Sequence, residues 1–136
     1  MDYVLQTLGL GWSFKMKTII CDIDGTIFKY SPNGHDAIAN EEPELLPNVK
    51  ERFKKWENAG HRIVLITGRR ESVRDITEAT LVNSGIPFDV LLMGHADTGR
   101  ILINDVSNAG QCKAHAISLP RDAGFYGWLE FDEAGL

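Results

Sequence analysis

Asp22 and Asp24 stand either side of a single apolar residue directly after the run Ile19-Ile20-Cys21, and Gly25 and Thr26 follow them. Side chains alternate along a strand, so residues two apart project to one side. If the run is a buried strand, both carboxylates meet near one pocket at its end. Gly25 permits a sharp turn or a close backbone approach, and Thr26 adds a hydroxyl beside the acids. Such a group suits a metal-assisted nucleophile with an acid/base partner. The same residue types also end strands as plain turns, so Asp-x-Asp-Gly alone does not choose between chemistry and punctuation. A calcium loop of the EF-hand kind is disfavoured. It needs Gly at its sixth position and Glu at its twelfth, where counting from Asp22 gives Ile27 and Asn33.

The elements that must position these acids are legible downstream. Leu46, Val49, Phe53 and Trp56 recur at spacings of three and four, with Pro47 near the start and Gly60 at the end, which predicts an amphipathic helix. Arg62 to Ile66 is a β-branched run ending at Thr67-Gly68-Arg69, a second strand stopping at a polar turn. Ser72 to Val82 predicts a second helix closed by Gly85. Phe88 to Leu92 reads as a third strand, Ile101-Leu102-Ile103 as a fourth running into Asn104-Asp105, and Ala114 to Leu119 as a candidate fifth. Near-continuous apolar strands separated by helices imply an α/β fold with a central parallel sheet covered on both faces. Ligands bind such folds at the carboxyl ends of the strands. Asp22, Asp24, Thr67 and Asp105, far apart in sequence, therefore converge for a topological reason.

Composition narrows the function classes. A chain of 136 residues fits one domain, and 43% hydrophobic with 24% charged residues is ordinary for a packed globular protein. The net charge of −5 disfavours nonspecific attraction to a polyanion, so extended nucleic acid is a poor first partner. Cys21 and Cys112 are the two cysteines, and Cys21 sits in the apolar strand where a free thiol acts as a small hydrophobe. The four histidines show no metal-ligand spacing, so zinc is not indicated. The first segment carries Asp2 where a signal peptide has basic residues, and no apolar run approaches the ~20 residues needed to cross a bilayer. The expectation is a cytoplasmic protein with residues 1–15 as an N-terminal appendage, Met16 as an alternative start, and 16–136 as a single domain.

The order of the motifs resembles the haloacid dehalogenase superfamily, a group dominated by magnesium-dependent phosphohydrolases with a three-layer Rossmann-like fold. The family's Asp-x-Asp-x-Thr is matched by Asp22, Asp24 and Thr26, its Thr at the next core strand's end by Thr67, and its later acid by Asp105. The resemblance implies that Asp22 attacks phosphorus to form an aspartyl-phosphate. It implies that Asp24 protonates the leaving oxygen and then activates water. Asp22, Asp105 and the main-chain carbonyl of Asp24 would hold Mg2+. Thr26, Thr67, Gly68 and Arg69 would contact substrate, with Arg69 facing a second anionic part of it.

The departures from the family pattern are equally specific. The family's third motif is a Lys upstream of the last acid, and no Lys lies between Arg70 and Asp105. Arg100 is the favoured replacement, with Arg74 read as a solvated helix position and Lys113 as a third candidate. Asn104 stands where a second acid is common. Many relatives insert a cap domain, but only residues 27–45 separate the first motif from the first helix, enough for a small flap. A capless site is open, or is covered by a second subunit of a homo-oligomer. The aromatic residues Phe125, Tyr126, Trp128 and Phe131 either seal the core or form that interface. His95 is placed at the pocket rim. The expected function is hydrolysis of a small phosphorylated metabolite such as a sugar phosphate or nucleotide. The alternatives are a polynucleotide-end phosphatase and a catalytically weak phosphate-binding or regulatory module.

Overall fold

The computed structural model describes residues 16–34, 38, 40–96 and 98–125. In chain order these form β1 (Thr18–Asp22), α1 (Val49–Asn58), β2 (Arg62–Ile66), α2 (Arg74–Asn83) and β3 (Val90–Leu92). A single 3-10 turn, Glu71–Val73, leads into α2, which is why that helix begins later than the periodicity predicts. The strands form a parallel sheet in the order β1-β2-β3. Parallel neighbours need a crossover connection, and α1 and α2 supply the two. Among the described residues no helix is long and apolar enough to cross a membrane.

Register decides which residues are buried together. Cys21, Leu65 and Leu91 lie side by side across the three strands, and this row is covered. Val49, Phe53 and Trp56 from α1 and Leu81 from α2 join the same hydrophobic cluster. Two crossovers of the usual right-handed sense, both moving the chain the same way across the sheet, place their helices on one face. The next row, Ile20, Val64 and Val90, is less covered, and Ile20 is 52% exposed. Phe53, Trp56 and Phe125 make the aromatic centre of the core, with ring centroids 5.0 to 5.9 Å apart. Phe125 thus seals the core, while Tyr126, Trp128 and Phe131 lie outside the described residues, as do residues 1–15.

The last described segment ties the first motif to α1. Asn48, at the start of α1, has φ 63°, a conformation that Asn tolerates better than most residues, and its Nδ2 donates to the Phe125 carbonyl at 3.0 Å. The Phe125 amide donates to the Pro47 carbonyl at 2.9 Å. A Cβ on Gly124 would come 2.5 Å from that same Pro47 oxygen, so the approach requires glycine. Two residues earlier, the Asp122 amide donates to the Gly25 carbonyl at 2.9 Å and the Asp122 carboxylate accepts from the Tyr30 amide at 2.8 Å. Residues 122–125 therefore clamp the Asp22-to-Thr26 loop against the helix.

Two expected strands are absent. Among the described residues Ile101-Leu102-Ile103 makes no ladder, and Ile101 and Ile103 are 91% and 90% exposed. Residues 114–119 are likewise irregular. Strand preference reflects packing against neighbours rather than an intrinsic backbone choice, and here the chain folds back on itself instead. Val106 bridges Cys112 antiparallel, around a turn in which the Gly110 amide donates to the Ser107 carbonyl at 2.8 Å.

Two outcomes follow from this packing. Phe53→Ala should lower the unfolding free energy by about 3–5 kcal/mol, as expected for a fully buried ring, and urea denaturation reads it directly. Burial pushes the Cys21 thiol up, with the neighbouring Asp22 charge adding to the shift and Arg100 opposing it, while Cys112 is exposed. Iodoacetamide should accordingly label Cys112 in the native protein and reach Cys21 only in denaturant. Peptide mass mapping showing native labelling at Cys21 would contradict the burial described.

Candidate active site

β1 and β2 end abreast, because Asp22 is in register with Ile66, and the first residue after β2 is Thr67. Past Asp22 the chain turns tightly. The Ile23 carbonyl accepts from the amides of Thr26, Ile27 and Phe28 at 3.2, 2.8 and 3.2 Å, and Gly25 takes φ +88°. This curl folds Thr26 back toward the strand end, where its hydroxyl donates to Asp22 Oδ2 at 3.2 Å. Asp22 Oδ1 accepts from Arg100 Nη1 at 3.2 Å. One carboxylate thus holds a hydroxyl on one oxygen and a cation on the other, and both Asp22 and Arg100 remain about one-third exposed. That is the condition of a carboxylate reachable by a ligand.

Asp24 is in different surroundings. Arg69 grips it with two bonds, Nε to Oδ2 at 2.9 Å and Nη2 to Oδ1 at 2.7 Å. Arg69 is only 5% exposed, and its Nη1 donates to the Thr77 hydroxyl of α2 at 3.1 Å. The planar fork of a guanidinium matches a carboxylate in this bidentate way, which lysine cannot reproduce. The Arg69 backbone amide also donates to Thr67 Oγ1 at 3.1 Å. Thr67 is fully buried, and a hydroxyl that accepts in this way keeps its own proton for an acceptor. Gly68 makes the turn between the two. A cleft of about 200 Å³ opens beside Asp24 and Arg69, lined among others by Phe28, Tyr30, Glu41 and Glu44.

The structure brings Asp22, Asp24, Thr26, Thr67, Gly68, Arg69 and Arg100 together and leaves Asp105 apart. Asp105 Oδ1 pairs with Lys113 Nζ at 2.5 Å, and the Asp105 side chain is 75% exposed. The physical reason is the missing ladder at Ile101-Leu102-Ile103. Without it nothing delivers the following acid to the end of β1. Among the described residues no three His, Cys, Asp or Glu side chains gather as a metal-ligating group. Of the donors the resemblance implies for a hard cation, the Asp22 carboxylate and the Asp24 main-chain oxygen are oxygen ligands of the right type, and magnesium commonly takes one or two protein oxygens and keeps several waters.

Arg69, expected at a second anionic part of the substrate, is engaged here by Asp24 and Thr77 and also lines the cleft. The other two cation candidates are engaged elsewhere, Lys113 with Asp105 and Arg74 with Glu71, Glu78 and the Leu91 carbonyl. His95 is exposed, and its amide donates to the Thr67 carbonyl at 2.9 Å. Thr77 was not singled out from the sequence, although a Thr four residues before Leu81, on the buried stripe of α2, is a polar group in an apolar row and carries that signal. Arg121 was also missed. Its guanidinium lies 4.0 Å from the Tyr30 ring centroid, and its Cγ would sit 3.2 Å from a Cβ at Gly25.

Residues 16–101 match the family described as the phosphatase domain of polynucleotide kinase PNKP. None of the curated protein sequences matches at a significant level. Similar solved structures include a chain of the Pnkp1/Rnl/Hen1 complex, 29% identical over 62% of this chain and 30% of that one, with a TM-score of 0.52. A chain of the Pnkp1/Rnl/Hen1 RNA repair complex is also 29% identical, over 62% of this chain and 28% of that one, with a TM-score of 0.53. A D,D-heptose 1.7-bisphosphate phosphatase from B. bronchiseptica, complexed with magnesium and phosphate, is 22% identical over 61% of this chain and 52% of that one, with a TM-score of 0.44. The chain spans less than a third of the length of the two chains it matches in the Pnkp1 complexes. The family match covers more than half of the 136 residues and takes in both motifs that meet at the ends of β1 and β2, so the chain belongs to the PNKP phosphatase-domain family of the haloacid dehalogenase superfamily.

Proposed function

We propose that this protein hydrolyses phosphomonoesters with magnesium, using Asp22 as the nucleophile. The observation that carries the reading is the state of Asp22, a carboxylate about one-third exposed at a strand end with Thr26 on one oxygen and Arg100 on the other. An Asp22 oxygen bonds to phosphorus while the bond to the leaving oxygen breaks, and that oxygen takes a proton from Asp24. Asp24, now ionised, takes a proton from water as the water oxygen bonds to phosphorus. The bond to Asp22 then breaks, phosphate departs and Asp24 is protonated again. Arg100 and the Thr67 hydroxyl face the phosphoryl oxygens and stabilise their charge. Magnesium held by the Asp22 carboxylate and the Asp24 main-chain oxygen would offset the repulsion between nucleophile and phosphate. Asp105 is left out of this ligand set because Lys113 engages it.

The acidic rim of the cleft beside Asp24, with Glu41, Glu42 and Glu44, supports a small leaving group of low negative charge, such as a sugar. The net charge of −5 points the same way. A second reading, the phosphorylated end of a polynucleotide, is supported by the family match and by the open, capless site. Comparing turnover of sugar phosphates with that of 3′-phosphorylated oligonucleotides separates the two, since the acidic rim should penalise the polyanion most at low ionic strength.

Two substitutions test the chemistry. Asp22→Asn should reduce magnesium-dependent turnover of a generic aryl phosphate by about a thousandfold or more, and unchanged turnover would reject the nucleophile. Arg100→Ala should cost on the order of a hundredfold in kcat, the usual effect of deleting one charge-stabilising donor, whereas Arg74→Ala should stay within a few-fold. Equal and small losses in the two variants would remove Arg100 from the site.

A further inference from the structure

We infer that Arg69 is a positioning residue whose guanidinium fixes the Asp24 carboxylate for proton transfer to the leaving oxygen, and that Thr77 on α2 is the anchor that aims it. The inference rests on the reading of Asp24 as the acid/base group and adds a residue that acts through it.

Four contacts carry the argument. Both Asp24 oxygens are held by one rigid plane, at 2.9 and 2.7 Å, so the carboxylate cannot turn about its own axis without losing a bond. A carboxylate offers about four lone-pair sites, and the fork takes two, leaving acceptor capacity on each oxygen for a proton in transit. The guanidinium is itself fixed by Thr77 at 3.1 Å, and Thr77 is fully buried on a helix packed into the core. The Arg69 amide meanwhile holds Thr67 Oγ1 at 3.1 Å. One residue therefore sets the acid through its side chain and the phosphoryl-facing hydroxyl through its backbone. Catalytic groups need placement to within a fraction of an ångström, and a carboxylate on a loop after a strand has no such placement of its own.

The engagement of its donors separates this role from substrate binding. Arg69 is 5% exposed, its side chain is 6% exposed against 19% for Asp24, and three of its donors are engaged. Arg100, by comparison, is one-third exposed beside Asp22 and remains within reach of a phosphate.

The test exploits leaving-group dependence. A poor leaving oxygen, as in an alkyl phosphate, requires protonation as the bond to phosphorus breaks, whereas 2,4-dinitrophenolate leaves without it. Steady-state kinetics on both esters, with magnesium, should be measured for Arg69→Lys, Thr77→Val and Asp24→Asn. Arg69→Lys keeps the charge and removes the fork. It should lower the alkyl-to-aryl ratio of kcat at least about tenfold with KM changed less than about threefold, and Thr77→Val should lower that ratio by a smaller factor in the same direction. Turnover of the dinitrophenyl ester reports folding in the same assay, and Arg69→Gln gives a second route if lysine is not accommodated.

Loss by the same factor on both esters, or a rise in KM alone, would overturn the positioning role. So would a Thr77→Val variant that matches the parent while Arg69→Lys falls. Asp24→Asn keeps the two readings apart. If it is not selective for the alkyl ester, the acid role of Asp24 fails; if it is selective and Arg69→Lys is not, only the present inference fails.

Discussion

Parallel pairing of β1 with β2, in the register that sets Asp22 against Ile66, is the constraint on which the site depends. It brings the residues after one strand level with the residues after the other, and only then can Arg69 reach Asp24 and hold both of its oxygens. Slipping a strand by one residue would send every side chain to the opposite face. The row Cys21, Leu65 and Leu91, buried under α1 and α2, makes such a slip costly. The core thereby specifies the site.

The ion pair formed across these strand ends is mostly buried, and such pairs stabilise little over apolar packing because desolvation opposes the Coulomb attraction. Removing one partner is another matter, since the other charge is left without compensation. Asp24 and Arg69 are consequently better understood as fixing an arrangement than as adding stability. Two further pieces of the chain maintain that arrangement. Thr77 holds the guanidinium from α2, and residues 122–125 hold the first loop from behind, through Gly25, Tyr30 and Pro47. The two acids end with unlike environments, one open to solvent beside Arg100 and one enclosed by Arg69. Separate tasks for nucleophile and acid/base need such a difference.

Membership of the family described as the phosphatase domain of polynucleotide kinase PNKP sits beside an acidic chain with three glutamates at the cleft rim. These observations bear on different parts of a substrate. In the function proposed above, the phosphoryl group would meet the strand ends and the leaving group the cleft beside Asp24. On that reading, substrate class is a question about the residues lining the cleft, such as Tyr30, Glu41 and Glu44, rather than about Asp22.

The core strands, both helices and the meeting of Asp22, Asp24 and Thr67 could be read from the sequence because they rest on local patterns: apolar runs, spacings of three and four, and polar turns at strand ends. Arg100 could be named as a candidate because Lys is missing from its stretch of chain. What the sequence could not decide were pairings among distant groups. Ile101-Leu102-Ile103 has strand composition, yet a strand exists only with a partner, and none is formed among the described residues; Asp105 lies beside Lys113 instead of with the other acids. The pairing of Arg69 with Asp24 and Thr77 follows only from the juxtaposition of two loops and a helix. Residue type and spacing determined which groups the strand ends carry, while tertiary packing decided which of them face a ligand and which face one another, because burial and hydrogen-bond distance are properties of the folded chain alone.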